Sequence, residues 1–154
     1  MIHMIESKKY QYMNPVSINF ENLVKDIGEA VIISDRDEHI LFWNASAERI
    51  FGYSPKEALG NTLSIITPER FRERHSKGYF HTMETGKTKY GNTLLRVPAV
   101  HKDGRSISIA FSVTMIFDDQ KEPVAIAAFI RDETERFQEE RRLKEKLAAL
   151  EKNP

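Results

Sequence analysis

The sequence predicts an α+β fold: a five-stranded antiparallel sheet with short helices on one face, an N-terminal helix before it and a coiled-coil-like exit helix after it. Two strand-like runs joined by a polar turn come first, at Ala30 to Asp35 and Ile40 to Asn44. Several short helical segments and one longer helix follow, and three strand-like runs with tight turns come last. Such short helices are unstable alone, so they require a sheet to pack on.

Composition limits the possible functions. The chain has 154 residues, a formal net charge of +0 and no cysteine. This length suits one domain with short extensions, and the balanced charge gives no reason to expect nucleic acid or a membrane as partner. Without cysteine there are no disulfides, thiolate nucleophiles or cysteine-based zinc sites. Because no apolar run reaches the roughly 20 residues of a membrane span, we expect a cytoplasmic domain or a cytoplasmic part of a larger protein.

Hydrophobic periodicity predicts the organisation of the chain up to the first hairpin. Residues 1–16 show none and are expected to form a tail, followed by the main domain at 17–132. A helix is expected from near Ser17, since apolar residues recur at helical spacing up to the stop signal at Gly28. The two β-branched and aromatic runs that follow form a hairpin around the turn "RDEH".

Two short helices are predicted by their capping residues. Asn44 or Ser46 can cap a helix over Ala45 to Phe51. The next helix starts with a capping-box signature and a proline at its first position, formed by Ser54, Pro55 and Glu57.

The longest helix of the body is predicted over "TPERFRERHSKGYFHTMETG". Thr67 is expected to cap it, Pro68 to occupy its first position and Gly86 to end it. His75 and Tyr79 fall on one stripe of this helix. The histidines of the tail and of two turns are expected to be solvated: His3, His39 and His101.

After Gly86 the pattern changes to strands. The segment "HKDGR" contains an Asp-Gly hairpin turn. From Ser106 to Met115 apolar residues alternate with small or polar ones, which predicts a strand with one buried face. The segment "DDQKE" makes the next turn, and "PVAIAAFIRD" is the last strand, ending at Asp132.

Residues 133–154 predict a charged helix that leaves the domain. Leu143, Leu147 and Leu150 form one stripe, and opposite charges cover the remaining surface. Because an isolated helix of this length is marginal in water, we expect it to pair as a coiled coil in a homodimer. A solvated terminal helix without such a role is the alternative.

Three segments resemble the PAS family, also called the sensory box: "GEAVIISDRDEHILFWNASAERIFGYSPKEALGNTLSIITPE", "HKDGRSISIAFSV" and "AAFIRDETER". The resemblance covers about residues 18–136. It implies the fold described above and a sensor or dimerisation module of signal transduction that is not an enzyme. Asp132 and Thr134 match the family's Asp-x-Thr motif, where the core passes its signal to the exit helix.

The helix "PERFRERHSKGYFHT" resembles the ligand-bearing helix of the haem-PAS oxygen sensors, in which an Arg-x-Arg-His segment supplies the proximal iron ligand. Arg72, Arg74 and His75 stand at the matching positions. The resemblance implies haem b with His75 as its ligand, and hence a gas or redox signal; neutral imidazole is a standard haem ligand. His81 falls where such proteins have a basic residue near a haem propionate.

The resemblance also implies an apolar distal side. Phe111 and Val113 would line it and keep the pocket dry. Leu95 stands where the oxygen sensors have an arginine that steadies bound oxygen, and Thr93 where another haem-PAS group has a methionine ligand. A five-coordinate, apolar site of this kind suits CO or NO better than a polarised dioxygen.

Two other functions remain open. One is a haem-free PAS domain that serves as a dimerisation and protein-interaction platform, with His75 as a packing residue. The other is a small organic ligand in an apolar cavity between helices and sheet. Flavin photochemistry through a cysteine adduct is excluded. The sequence has no Gly-rich phosphate loop, serine elbow or kinase motif, so an output domain such as a histidine kinase or cyclase is expected in the full-length or a partner protein.

Overall fold

The computed structural model describes residues 17–89 and 92–153, so the tail expected at residues 1–16 lies outside the described residues. The helices are α1 (Phe20–Asp26), α2 (Ala45–Phe51), α3 (Pro55–Ala58), α4 (Glu69–Thr85) and α5 (Thr134–Lys152). The strands are β1 (Ala30–Asp35), β2 (Ile40–Trp43), β3 (Leu95–Val100), β4 (Ser106–Phe117) and β5 (Pro123–Asp132). A short 3-10 helix, Leu63–Ile65, comes before α4.

The five strands form one antiparallel sheet in the order β2-β1-β5-β4-β3. Strand β5 is central, and its Ala128 lies opposite Ile32 of β1 and Val113 of β4. Directly opposed residues share a face of the sheet. This register therefore brings the alternate apolar residues of β1, β4 and β5 together on the face that the helices cover. The predicted five-stranded α+β fold is confirmed.

The covered face of the sheet holds two apolar clusters, which meet at one partly buried leucine of the 3-10 helix. The larger one lies against α2 and includes Phe51 and Ile32. The smaller one is formed by Tyr79 and Met83 of α4 packed on Ile126 of β5. Tyr79 and Met83 are the residues of α4 that are buried. Helix α4 is therefore attached to the sheet through a small apolar contact.

The buried amide of Asn44 joins three elements. Its Oδ1 accepts hydrogen bonds from the backbone N–H groups of Val31 and Ala47, both at 3.0 Å. Its Nδ2 donates to the carbonyls of Val24 at 3.1 Å and Glu29 at 2.9 Å. The residue is 1% exposed. Asn44 is thus the predicted cap of α2, and it also ties that helix to the end of α1 and to β1.

The cap predicted for α4 is wrong. The Thr67 hydroxyl donates to the carbonyl of Leu63 at 2.8 Å instead of accepting from the first turn of the helix. Pro68 then occupies the N-cap position, and α4 begins at Glu69. The reason is the 3-10 helix, which places the carbonyl of Leu63 one turn before Thr67 and within reach of its hydroxyl.

The prediction of a solvated His101 is also wrong, because its side chain is only 15% exposed. Its ring packs against Gly52, the left-handed C-cap of α2 with φ 83°. A Cβ at Gly52 would lie 2.5 Å from the imidazole, so the close approach requires glycine at this position. The β3–β4 turn is fixed to α2 in this way.

We expect the substitution Asn44→Ala to lower the free energy of unfolding by about 3 kcal/mol, because it removes a cap and leaves buried backbone groups without partners. Urea unfolding followed by circular dichroism measures this loss. The matched control is Asn19→Ala, which removes an exposed cap whose Oδ1 accepts from Asn22 at 2.9 Å. The control should lose about 1 kcal/mol or less. Equal losses in the two variants would contradict the structural role of Asn44.

Candidate ligand-binding site

The turn between β1 and β2 is shaped by Asp35. Its Oδ1 accepts hydrogen bonds from the backbone N–H groups of Asp37 and His39, both at 2.9 Å. Within this turn Glu38 adopts a φ of 69°, a left-handed conformation that is uncommon for residues other than glycine. Glu38 is 4% exposed, so the turn places a carboxylate inside the protein.

Helix α4 supplies the partners of this buried carboxylate. The Nδ1 atom of His75 lies 2.9 Å from Oε1 of Glu38. The hydroxyl of Ser76 donates to Oε2 at 2.8 Å. Both oxygens of the carboxylate are therefore hydrogen-bonded, which is what a buried acidic group requires.

One helical turn further on, Tyr79 makes a second contact with the same turn. Its hydroxyl oxygen lies 2.5 Å from the carbonyl oxygen of Asp35 and 2.8 Å from Oγ of Ser34. A phenol has one proton, so Tyr79 donates to the carbonyl and accepts from the serine. Burial raises the pKa of Tyr79 to about 12. We use the name turn clamp for the contacts of Ser34, Asp35 and Glu38 with His75, Ser76 and Tyr79.

The imidazole of His75 is held at one nitrogen and free at the other. Its side chain is 38% exposed. Nδ1 contacts Glu38, and Nε2 has no hydrogen-bond partner among the residues that the structure describes. When the proton sits on Nδ1, Nε2 carries a lone pair. An imidazole with one nitrogen at a carboxylate and the other available is the usual arrangement of a metal-binding histidine.

The structure places the three predicted distal residues on the covered face of the sheet. Leu95 of β3 lies directly opposite Phe111 of β4, so their side chains share that face. Phe111 packs against the larger apolar cluster and Val113 against the smaller one. All three are only partly buried. They form a partly exposed apolar surface between the two clusters.

His81 is not brought to this surface. It is exposed, whereas Tyr79 on the same helix is buried. Residues three or four apart share a helix face, so His81 lies on a different face from His75. The side chain of Arg96 is also directed away, since it pairs with Glu133 at 2.9 Å.

The two predicted signalling residues meet at the end of β5. The Thr134 hydroxyl donates to Oδ1 of Asp132 at 2.6 Å and accepts from the backbone N–H of Ser108 at 3.0 Å. The backbone N–H of Glu133 donates to the carbonyl of Ser108 at 2.8 Å. The hydrogen bond from Arg96 lowers the pKa of the Glu133 carboxyl. The start of α5 is thereby fixed to both β4 and β3.

Glu38 and Ser76 belong to the site but were missed in the sequence. An acidic residue in a polar turn is ordinarily solvated. The available signal was Asp35, whose type and position favour a turn stabilised by its side chain. That signal predicts the turn, but it does not show that the turn packs against α4.

We expect Tyr79→Phe to lower the free energy of unfolding by about 1–2 kcal/mol at neutral pH, because the Asp35 carbonyl loses one of its two donors and the buried Ser34 hydroxyl loses its acceptor. The pKa of Tyr79 is 10.0 in the unfolded chain and about 12 in the folded one. The contribution of the neutral hydroxyl is therefore complete below pH 10.0 and is lost as the pH rises to about 12.

Urea unfolding of both proteins across this range measures the difference between them. A difference that stays constant or grows with pH would contradict the buried, neutral hydroxyl.

Comparison with known proteins identifies a matching family and several related sensor proteins. The family described as the PAS fold matches residues 19–132. Oxygen sensor protein DosP of Escherichia coli (strain K12) is 30% identical over 115 residues, which cover 75% of this chain and 14% of that protein. Sensor protein FixL of Bradyrhizobium diazoefficiens is 30% identical over 128 residues, which cover 82% of this chain and 25% of that protein. The chain thus spans a quarter or less of these two relatives.

Solved structures agree in fold. The PAS domain of a protein from Colwellia psychrerythraea has a TM-score of 0.66 and 21% identity, covering 75% of this chain and 95% of that one. An RNA-binding light-oxygen-voltage receptor has a TM-score of 0.69 and 17% identity, and the match covers 90% of this chain and 41% of that one. In the described part of the chain, no helix is both long enough and apolar enough to cross a membrane. The fold, the family match and the similarity to sensor proteins show that the chain belongs to the PAS family of sensory domains.

Proposed function

We propose that this PAS domain is the sensor module of a larger cytoplasmic signalling protein. In this proposal it holds haem b through His75, and the bound haem detects a gas or a redox signal. One observation carries the proposal: Nδ1 of His75 lies 2.9 Å from a buried carboxylate, while Nε2 has no partner among the described residues. The relative named as an oxygen sensor, DosP, supports it, since its similarity covers 75% of this chain.

The residues present fit a haem in their chemistry. His75 supplies an imidazole nitrogen, and Leu95, Phe111 and Val113 supply a partly exposed apolar surface on the sheet. Haem, when bound, supplies an iron that takes up small gases and changes oxidation state. In this proposal His75 binds the group, and the three apolar residues exclude water. None of them donates a hydrogen bond, which favours CO or NO over dioxygen. His81 lies on another face and has no role.

The signal would leave the site through the strands that carry it. Phe111 and Val113 belong to β4, and Ser108 of the same strand holds Thr134 at the start of α5. Leu95 precedes Arg96, which pairs with Glu133. A displacement of β3 or β4 would therefore change the packing of α5. The ligand must favour one of two arrangements for this to be a switch. Catalysis would reside in an output domain such as a histidine kinase or cyclase.

A haem-free platform for dimerisation is the second candidate, and one observation favours it. Helix α5 has no buried residue, and large apolar side chains on it are exposed, up to 72% at Leu150. Leu143, Leu147 and Leu150 follow the four-three spacing of a coiled-coil seam. A second copy of α5 would cover them. This dimer is compatible with a bound haem, so the two candidates differ in the pocket alone.

We expect the wild-type protein, expressed with haem supplied, to show a Soret absorption band that His75→Ala loses. The physical reason is the loss of the imidazole nitrogen that would bind the iron. His81→Ala is the matched control, since it removes an exposed histidine from the same helix and should keep the band. The haem proposal fails if the wild type has no band, or if His75→Ala keeps a band of equal intensity.

We expect Leu147→Asp to weaken the homodimer at least tenfold, about 1.4 kcal/mol, because it places a charge in the seam. Sedimentation equilibrium measures the dissociation constant. Leu59→Asp is the control, because Leu59 is 46% exposed and lies outside α5. A wild type that is monomeric, or equal weakening by both substitutions, would rule out the α5 seam.

A further inference from the structure

We propose that four charged residues beside the leucine seam of α5 select a second copy of this chain as its partner, parallel and in one register. These residues, here called the border residues, are Glu139, Lys144, Lys146 and Glu151. This selectivity rests on the dimer given above as the second candidate function. It adds which partner the seam accepts and which alignments of the two helices it rejects.

The exposed leucines of α5 define the seam. Leu143, Leu147 and Leu150 are 50%, 60% and 72% exposed, and α5 has no buried residue. Their spacing places Leu147 at position a of a heptad and the other two leucines at position d. Positions e and g border such a seam and meet each other across a dimer. Position g is occupied by Glu139 and Lys146, and position e by Lys144 and Glu151.

Three of the border residues have no ion pair within their own chain. Among the ion pairs of residues 17–89 and 92–153, none contains Lys144, Lys146 or Glu151. The outer face of the same helix differs, since Nε of Arg141 lies 3.0 Å from Oε1 of Glu145. The charges left for a second chain are therefore the ones that stand beside the leucines.

Glu139 has a partner in its own helix. Its Oε2 lies 3.3 Å from Nη1 of Arg142, and the two side chains are 55% and 65% exposed. An exposed ion pair contributes little to stability. The carboxylate of Glu139 can therefore exchange Arg142 for a lysine of a second chain with little loss.

Two parallel copies of α5 present complementary charges at these positions. In a parallel dimer the residue at g meets the residue five positions later, at e, of the other chain. Glu139 then meets Lys144 of the second copy, and Lys146 meets Glu151 of the second copy. Because such a dimer has a two-fold axis, each contact occurs twice and both kinds join opposite charges.

The same charges oppose a slip of one heptad. A slip in one direction brings Glu139 opposite Glu151 of the second copy, and a slip in the other direction brings Lys146 opposite Lys144. Both alignments place like charges together, which is unfavourable. A slip still sets Leu143 against Leu150, so the leucines alone discriminate less well than the border residues do.

The seam is charged before Leu143, and those charges are satisfied within one chain. Nε of Arg136 lies 3.0 Å from Oε1 of Glu140, which occupies the preceding a position. Nη1 of Arg136 lies 3.2 Å from Glu133, and Glu133 is bound by Arg96 of β3. The apolar part of the seam is therefore short, which gives the border residues more weight in the choice of partner.

The decisive test compares Lys146→Glu and Glu151→Lys, each in the full chain. Either substitution alone makes two attractive contacts of the homodimer repulsive, so we expect the dissociation constant to rise about tenfold. An equimolar mixture of the two variants should recover the wild-type value, because the two substituted positions then meet each other with opposite charges. Sedimentation equilibrium at low salt measures all of these constants.

Lys152→Glu is the matched control. It makes the same exchange of charge at position f, on the outer face of α5, and should change the dissociation constant by about twofold or less. Equal weakening by Lys146→Glu and Lys152→Glu would overturn the selectivity. A mixture that dimerises as weakly as its two components would overturn it as well.

A second measurement tests the alignment of the helices. The chain has no cysteine, so Leu150→Cys places a single thiol in each copy of the seam. The proposed register brings the two thiols face to face, and we expect a disulfide to form under mild oxidation. Lys152→Cys, on the outer face, should stay reduced. A dimeric Leu150→Cys protein that stays reduced would overturn the parallel register.

These measurements separate the selectivity from the dimer on which it rests. A monomeric wild type would end the dimer candidate and the selectivity together. A dimeric wild type whose affinity is insensitive to Lys146→Glu and Glu151→Lys would retain the dimer and reject the selectivity.

Discussion

The turn clamp is the constraint on which the position of α4 depends. This helix has 17 residues, yet only Tyr79 and Met83 are buried. Such a small apolar contact leaves a helix free to slide or rotate on a sheet. The hydrogen bonds to Ser34, Asp35 and Glu38 remove that freedom, because each of them requires one rotation of the helix and one height along it. The same bonds orient His75, so this face would combine its structural role with the proposed binding of a ligand.

The turn clamp and the start of helix α5 lie near opposite ends of strand β5. Asp35, at the turn clamp, lies opposite Ala125 near the start of β5, whereas Asp132 at the exit lies opposite Ile109. Strand β5 is paired on both sides along its length. Any communication between the two ends would therefore involve the central strand or its neighbour β4, which contributes residues to the apolar surface and contacts α5.

Local patterns were enough to predict the elements but not the contacts between them. The bounds of β1, α2 and β5 follow from β-branched runs and from the caps Asn44 and Gly52, which act within a few residues. The prediction that Thr67 caps α4 was wrong because a carbonyl of the preceding 3-10 helix competes for its hydroxyl. The prediction that His101 is solvated was wrong because a glycine distant in sequence leaves space for its ring.

The same distinction applies to the candidate site. The family resemblance singled out His75 and His81 together, and helical geometry in the folded chain separates them onto different faces. Glu38 could not be found, because nothing in a polar turn shows that it will be buried against a helix. Asp132 and Thr134 were singled out by the Asp-x-Thr motif of the family, and the hydrogen bond between their side chains is local, whereas the bond from Ser108 to Thr134 joins distant parts of the chain.

The division of the core into two clusters has a consequence for motion. The larger cluster stabilises the sheet, α2 and α3 as one unit, while α4 contributes three side chains to the turn clamp and two to the smaller cluster. Contacts this few can break without disturbing the larger cluster. We therefore expect helix α4 to open as a separate cooperative unit, with its amide hydrogens exchanging at a lower free energy of local opening than those of β5. The part of the domain that would hold a ligand is thus the part that can open while the rest stays folded.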